Sequence, residues 1–352
     1  MLFLTGFNGR GKYSGVLFFF LFFWAFPLLG QSPELVVQNR SQWTGVAVTP
    51  ERRLFVSFPA WGINFSFSLG EVIQGDVRPF APFDGETGEK LHFINVQSIK
   101  AGKDGILWIL DNANPDFKGV RLPGPRLIAV DTETREFIRE YRFPEDVYRK
   151  ASYFNDFCLD AANQYAYLSD SGAGAIIVVD LKNNSSVRFF NHHPALLSET
   201  SGLAVEGRYF KITSHVNGIA LDEREHYLYF SALSGHTLYR VPVQAFFLPG
   251  CFVSLCGFVP EPWAIIPASD GMLFDKKGNL YLTGVEAGRI WKVSSSKTIT
   301  PLFEDLNIAW PDSLASAGSS LYVTASNIHR SPSSKGFYQL YRVKDYSGED
   351  NE

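Results

Sequence analysis

TGVAVTPERRLFVSF, residues 44–58, opens on a polar residue, runs through an alternating apolar stretch, turns at charged residues and closes on a second alternating stretch. The same order returns as QSIKAGKDGILWILD at 97–111, NDFCLDAANQYAYLSD at 155–170, NGIALDEREHYLYFS at 217–231, DGMLFDKKGNLYLTG at 270–284 and DSLASAGSSLYVTAS at 312–326. Successive copies start 53, 58, 62, 53 and 42 residues apart. Apolar side chains at every second position mark a half-buried strand. Two such strands around a turn carrying Gly, Asp, Asn or Glu mark an antiparallel hairpin. A hairpin recurring every ~40 to 60 residues predicts an all-β fold, a six-bladed β-propeller of four-stranded antiparallel blades.

Working outward from the hairpins, two further strands are needed in each blade. RLIAVD (126–131) and EFIREYRF (136–143) supply them in the second blade, and AIIVVD (175–180) and SVRFF (186–190) in the third. TLYRVPV (237–243) and RIWKVS (289–294) read as third strands of the fourth and fifth. The sixth blade ends with FYQLYRV (337–343), and ELVVQ (34–38) is expected to close the ring as its missing outer strand. Pairing the two ends of the chain would remove the exposed edges.

Residues 1–30 stand outside this pattern. Arg10 and Lys12 precede VLFFFLFFWAFPLL, a 14-residue apolar run at 16–29 that Pro27 interrupts. The run is short of the ~20 residues a membrane span needs, so it reads as a signal peptide cut between Gly30 and Ser32, with an uncleaved anchor as the alternative. The expected product is secreted and extracellular, or periplasmic in a Gram-negative host, without stable membrane insertion after cleavage. Residues 31–345 then form one propeller, and 346–352 an acidic tail. Removal of the leader leaves 30 basic and 36 acidic side chains, which excludes an electrostatic case for nucleic acid. Three cysteines, Cys158, Cys251 and Cys256, cannot all pair within the chain. Cys251 and Cys256 are close enough in sequence to bridge, whereas Cys158 reads as a small buried hydrophobe. Asn39, Asn64, Asn183 and Asn184 each begin an N-x-S sequon.

Blade geometry places the candidate site. The first residue of each copy sits where the inner strand enters the central axis, so Thr44, Gln97, Asn155, Asn217, Asp270 and Asp312 should converge there. The second strand runs antiparallel, which brings Asp111, Asn112, Asp170, Ser171, Glu286, Asn327 and His329 to the same rim. Trp43, Trp61, Phe154, Trp263 and Trp310 fall at or near these ends. Asn and Asp before Gly also form ordinary turns, yet none of the six leading positions is apolar. A polar axial cluster with aromatic walls is a ligand pocket in outline. His192 and His193 read as loop residues and His215 as a turn residue. No G-x-S-x-G, P-loop or H-E-x-x-H pattern occurs.

The chain resembles the major royal jelly protein and yellow family from about Pro33 to Val343. WTGVAV with RLFVSFPAW, LWILDNAN with PRLIAVD, YFNDFCLD with AYLSDSGAGAIIVVDL, NGIALDEREHYLYFSALSGHTLYRVPV, SDGMLFDKKGNLYLTGVEAGRIWKV, and WPDSL with LYVTASNIH carry the resemblance. It implies a secreted six-bladed propeller with a ligand pocket at one end of its axis. Family roles diverge among dopachrome conversion, binding of biogenic amines and food proteins. The lack of several cysteine positions typical of insect members makes the chain look like a microbial relative.

Two functions follow as expectations. The first is binding of a small aromatic or cationic molecule by Thr44, Gln97, Asn155, Asn217, Asp270, Asp312, Asp111, Asp170, Glu286, Trp43 and Trp310, with a dopachrome-conversion-like isomerase as its enzymatic version. The second is a metal-dependent lactonase, because NGIAL, SDGMLFD and FND are similar to ligand motifs of the gluconolactonase type. That resemblance implies a divalent cation such as calcium on Asn155, Asn217 and Asp270. Thr44 stands where the resemblance would place a glutamate ligand, and Asp312 is the neighbouring carboxylate that could substitute.

Overall fold

Each repeated hairpin forms the inner pair of a four-stranded antiparallel sheet, and six such sheets are present among the described residues. The computed structural model describes residues 32–346 apart from 63–66, 103, 161, 163, 223, 225, 248–257, 304–307 and 331–335. The apolar leader, the sequon at Asn64, Cys251, Cys256 and residues 347–352 of the expected tail lie outside the described residues. Blade one comprises Val46–Val48, Leu54–Ser57, Leu69–Ile73 and Asp76–Pro79. Blade two comprises Val96–Ala101, Ile106–Asp111, Arg126–Asp131 and Phe137–Arg142. Blade three comprises Phe154–Leu159, Tyr165–Asp170, Ala175–Asp180 and Ser185–Phe189. Blade four comprises Val216–Asp222, Tyr227–Ala232, Thr237–Pro242 and Glu261–Ile265. Blade five comprises Ser269–Phe274, Leu280–Gly284, Arg289–Val293 and Ile299–Pro301. Blade six combines Pro311–Ala317, Ser320–Ala325 and Tyr338–Val343 with the amino-terminal strand Glu34–Asn39.

The ring therefore closes through its two ends, as the sequence predicts. Glu34 stands opposite Arg342 and Asn39 opposite Tyr338, and a 2.7 Å ion pair joins Glu34 to Arg342. Tyr346 is buried with its ring 4.9 Å from that of Tyr281, so propeller packing includes the first residue of the expected tail.

Alternation decides where the core forms. Because both faces of a blade are covered by its neighbours, apolar residues collect in wedges between blades. Phe55, Ile99 and Ile109 fill the wedge between blades one and two, while Leu168, Phe157 and Tyr141 fill the next. Val46 and Leu340 meet where the sixth blade joins the first. At ~25 cal/mol per Å² of apolar area, these wedges are the main source of stability.

Hydrogen bonds then fix one blade against the next. Near the end of its second strand, four of the six blades carry a serine or threonine that acts twice. Ser57 Oγ accepts from Gly45 N at 2.9 Å and donates to Gln97 O at 3.1 Å. Ser169 Oγ accepts from Asp156 N at 3.1 Å and donates to Asn217 O at 2.6 Å. Thr283 Oγ1 does the same for Gly271 N at 2.7 Å and Asp312 O at 3.0 Å. Thr324 Oγ1 accepts from Ser313 N at 3.1 Å and donates to Thr44 O at 2.6 Å, across the seam where the ring closes.

The acceptor in each case is the first residue of the next repeat. Bulges early in the inner strands, as between Phe154 and Phe157 or Ser269 and Met272, turn a backbone N–H out of the ladder toward the hydroxyl. The close approach also explains Gly271, where a Cβ would lie 2.3 Å from Asp312 O. Blade two has Leu110 at the hydroxyl position, and Ser98 Oγ bridges to Asp156 Oδ1 at 2.7 Å instead. In blade four the equivalent Ser231 Oγ is buried without a hydrogen-bond partner.

One further element interrupts the repeat. The hairpin of Gly202–Val205 and Arg208–Lys211 lies between blades three and four. Leu203 and Val205 pack on Leu233, Ala268, Val285 and Trp310. The hairpin thereby covers the ends of blades four to six on the side where the inner strands begin.

Thr324→Val should destabilise the protein by about 1–3 kcal/mol, because it leaves Thr44 O and Ser313 N buried without partners. Ser231→Ala, which removes no bond, should stay within ~0.5 kcal/mol of the parent. Urea unfolding of the two variants checks this, and equal losses would remove the clasp from the account. Deletion of residues 33–39 should lower the melting temperature of the whole ring by several degrees, since several ladder bonds of ~1 kcal/mol each are lost and an edge is exposed. An unchanged melting temperature would place closure elsewhere.

Candidate functional site

The clasps hold the leading residues by their carbonyl groups and leave their side chains to meet on the axis. Gln97, Asn155, Asn217, Asp270 and Asp312 line one axial cavity together with Asp156, Ser98, Gly271 and Ser313. The space open to the centre of a water-sized sphere is about 10 Å³. That volume holds one water molecule or one small charged group, and no ring.

Charge in the cavity is unevenly balanced. Asp156 is compensated, with Lys100 Nζ at 3.0 Å and the Ser98 hydroxyl donating at 2.7 Å. Asp270 accepts a 2.7 Å bond from Trp310 Nε1. Burial raises its carboxyl to about 7, and the nearby Asp156 charge pushes the same way, against the hydrogen bonds from Trp310 and Asn217. Asp312 is likewise raised well above the usual carboxylate range, first by burial and then by the charge of Asp270. The two acids are buried together, and each charge makes ionisation of the other harder. Beside them, Asn217 Oδ1 is buried with no hydrogen-bond partner.

Gln97 and Asn155 complete the ring of polar groups. Gln97 Nε2 donates to Asn155 Oδ1 at 3.5 Å, and Asn155 Nδ2 donates to Ser171 Oγ at 3.2 Å. Gln97 Oε1 accepts from the Tyr153 hydroxyl at 2.7 Å. Burial pushes the Tyr153 phenol up, so it stays protonated and donates.

The other expected site residues have different places. Thr44 does not line the cavity, because its hydroxyl donates to Gln97 O at 2.7 Å. Asp111 takes the backbone N–H groups of Ile94 and Asn95 at 2.9 and 2.8 Å, and the Arg126 guanidinium at 3.2 Å. Asp170 repeats that corner one blade later, with Tyr153 N at 2.9 Å, Ser152 Oγ at 2.6 Å and Arg188 Nη1 at 2.7 Å. Glu286 accepts from Ala204 N at 3.1 Å and stands 2.8 Å from His236 Nε2, fastening the inserted hairpin. Trp43 is fully buried and donates to Ala325 O at 3.2 Å. Trp310 is the aromatic that reaches the cavity, through its bond to Asp270 and under the Phe210 ring at 5.5 Å.

Asp156 and Tyr153 belong to the site although the repeat pattern did not single them out. The signal for Asp156 was an acid at a position where the other copies carry Gly or Ser. The signal for Tyr153 is spatial, through its phenol, and no spacing announces it. As for a divalent ion, Asn155, Asn217 and Asp270 supply only oxygen, which suits a hard cation in kind. Thr44 is turned away and Lys100 occupies Asp156, which leaves no third carboxylate for it. Among the described residues, no three His, Cys, Asp or Glu side chains come close enough to share a metal ion. The site therefore lacks the glutamate that the lactonase resemblance would place at Thr44, while Asp312, the carboxylate that could substitute, lines the same cavity as Asn155, Asn217 and Asp270.

The family model described as major royal jelly protein matches residues 94–308, which spans blades two to five. Major royal jelly protein 6 of Apis mellifera is 26% identical over 161 residues, covering 44% of this chain and 36% of that protein. The yellow-related salivary protein M10 of Phlebotomus duboscqi is 24% identical over 217 residues, with 54% of each covered. The first of these matches spans about a third of the relative's own length. Among solved structures, a gluconolactonase from Xanthomonas campestris superposes with a TM-score of 0.57 at 11% identity, over 89% of both chains. At that identity the likeness concerns the fold alone. A repeat architecture, its order of motifs and a family model matching most of the ring lead to one assignment: this chain belongs to the major royal jelly protein family.

Proposed function

We propose that the chain is an exported binding propeller whose axial cavity takes the charged head of a small cationic ligand, an ammonium group, between Asp270 and Asp312. The observation that carries this reading is the pair of buried carboxyls that no cation among the described residues compensates, beside the unpartnered Asn217 Oδ1. Two carboxyls that burial and mutual repulsion keep from ionising freely carry less negative charge than an exposed pair, which matches a monocation better than a divalent ion. Export is inferred from the basic and apolar leader, and no helix among the described residues is long and apolar enough to cross a membrane.

An ammonium group offers three donors, and the cavity offers the two carboxyls and the Asn217 oxygen to receive them. Each charged hydrogen bond contributes about 1.5–3 kcal/mol, enough to offset dehydration in a small polar site. A dopachrome-conversion-like isomerase would use the same group, since a carboxyl titrating near neutrality suits proton transfer. The axial volume keeps any ring of such a substrate outside, at the mouth.

Affinity for a simple alkylamine should rise as pH increases through about 7, with proton release on binding, because the site must ionise to receive the cation. Calorimetry in two buffers of different ionisation enthalpy reads that release. Asp270→Asn should lower the affinity at least about tenfold, and chelator should leave it unchanged. Chelator-sensitive binding or lactone hydrolysis with stoichiometric metal would replace this reading with the lactonase.

The same acids set a pH dependence of stability. Their folded pKa lies above the unfolded value near 3.8, so the native state holds more protons between the two. Stability should be full below about pH 4 as far as these groups are concerned, and should fall as pH rises toward and through 7. Asp270→Asn combined with Asp312→Asn should flatten that decline in thermal melts. A decline of undiminished slope in the double variant would assign it to other groups.

A further inference from the structure

We propose that Lys100 is a built-in occupant of the axial site, whose ammonium takes the third carboxylate there, Asp156, and so limits the cavity to ligands that bring one positive charge. The inference rests on the axial reading and adds a specificity to it: monoamines are taken, and a diamine gains nothing from its second charge. Two departures from the repeat carry it. At the second position of the copies Asp156 stands where the others have Gly or Ser, and at the fourth Lys100 stands where the others have Ala, Cys or Leu. The acid and the cation that break the pattern lie on the inner strands of adjacent blades, and they pair with each other.

The geometry of the pair is that of a bound ammonium. Lys100 Nζ lies 3.0 Å from Asp156 Oδ1 and 3.3 Å from Oδ2, so one head group spans both oxygens. The Ser98 hydroxyl and Phe157 N donate to Oδ1 at 2.7 and 2.9 Å. Ser98 already joins blades two and three through this carboxyl, in place of the missing clasp, and the lysine is not needed for that bond. Its charge answers a different requirement, because a carboxylate side chain only 8% exposed is costly unless a cation meets it. Asp156, Asp270 and Asp312 line the same cavity, yet among the described residues no three acids come close enough to share one metal ion. Positive charge must therefore be supplied at separate points. Lys100 supplies it at Asp156, and the unpartnered Asn217 Oδ1 beside Asp270 and Asp312 marks the point left to a ligand.

The test is calorimetry with methylammonium, butylamine and 1,4-diaminobutane at fixed pH and ionic strength. The parent should bind a single methylammonium per chain and prefer the diamine over butylamine by no more than about twofold, the statistical advantage of two equivalent ends. Lys100→Ala should bind a second methylammonium and prefer the diamine by about tenfold or more, through one further charged hydrogen bond. Lys100→Arg should restore the parent ratio, and Asp156→Asn added to Lys100→Ala should abolish the second site. Asp156→Asn alone leaves the Lys100 ammonium without its carboxylate and should weaken methylammonium about tenfold by charge repulsion, a loss that Lys100→Met recovers. A single methylammonium in Lys100→Ala, with the parent's diamine ratio, would overturn the proposal and leave the axial reading standing. A parent that binds no methylammonium, beside a Lys100→Ala protein that binds it through Asp156, would overturn the axial reading and support the proposal. Should Lys100→Ala not fold, a methylammonium affinity unchanged in Asp156→Asn would overturn the proposal, and a loss recovered by Lys100→Met would support it.

Discussion

The architecture depends on a hydroxyl that serves two blades at once. Hydrophobic wedges between blades are non-directional and would tolerate rotation of one sheet against the next. Ser57, Ser169, Thr283 and Thr324 remove that freedom, because each joins an inner-strand amide of its own blade to the leading carbonyl of the next. The leading residues are those whose side chains reach the axis. Packing, register and site geometry are therefore one constraint: the group that sets the angle between blades also sets where Gln97, Asn217 and Asp312 point their side chains. The seam obeys the same rule, since Thr324 holds Thr44 across the junction of the two chain ends.

What could be read in the sequence follows from the period of the signal. Alternation over five or six residues, repeated six times, specifies inner hairpins strongly, and the end-to-end pairing of Glu34–Asn39 with Tyr338–Val343 follows from counting strands. The outer strands Ile299–Pro301 and Glu261–Ile265 were not legible, because one has three residues and the other carries a proline and an exposed isoleucine. The inserted hairpin, whose strands have four residues each, fell below the same threshold. For the site, the leading position of each copy was readable as polar and axial. Its exception was Thr44, whose hydroxyl is short enough to bond the neighbouring carbonyl and so never reaches the cavity.

Acidic residues at strand ends divide into two kinds that sequence cannot separate. Asp111 and Asp170 look like rim ligands, yet each closes a corner in which backbone amides and an arginine satisfy its oxygens. Asp270 and Asp312 carry the same letter at the opposite strand's start, and among the described residues no cation pairs with either. The difference lies in a partner on an outer strand, Arg126 for Asp111 and Arg188 for Asp170, and among the described residues no ion pair of that kind reaches Asp270 or Asp312. Where the arginine is present the acid is structural. Where it is absent, burial raises the carboxyl and the charge must be met by a proton or by a ligand.

The mouth of the axis is consequently asymmetric. Over blades four to six the inserted hairpin lays Leu203, Val205 and Phe210 on Trp310, and an acid at its turn, Glu206, pairs with Arg330 and His329, which hold its carboxyl down to about 2. Trp310 is the donor that orients Asp270, so this half of the mouth is a support for the acid and is closed to solvent. Over blades one to three no such cover exists among the described residues, and the exposed face belongs to Phe117 above Trp61 and Tyr153.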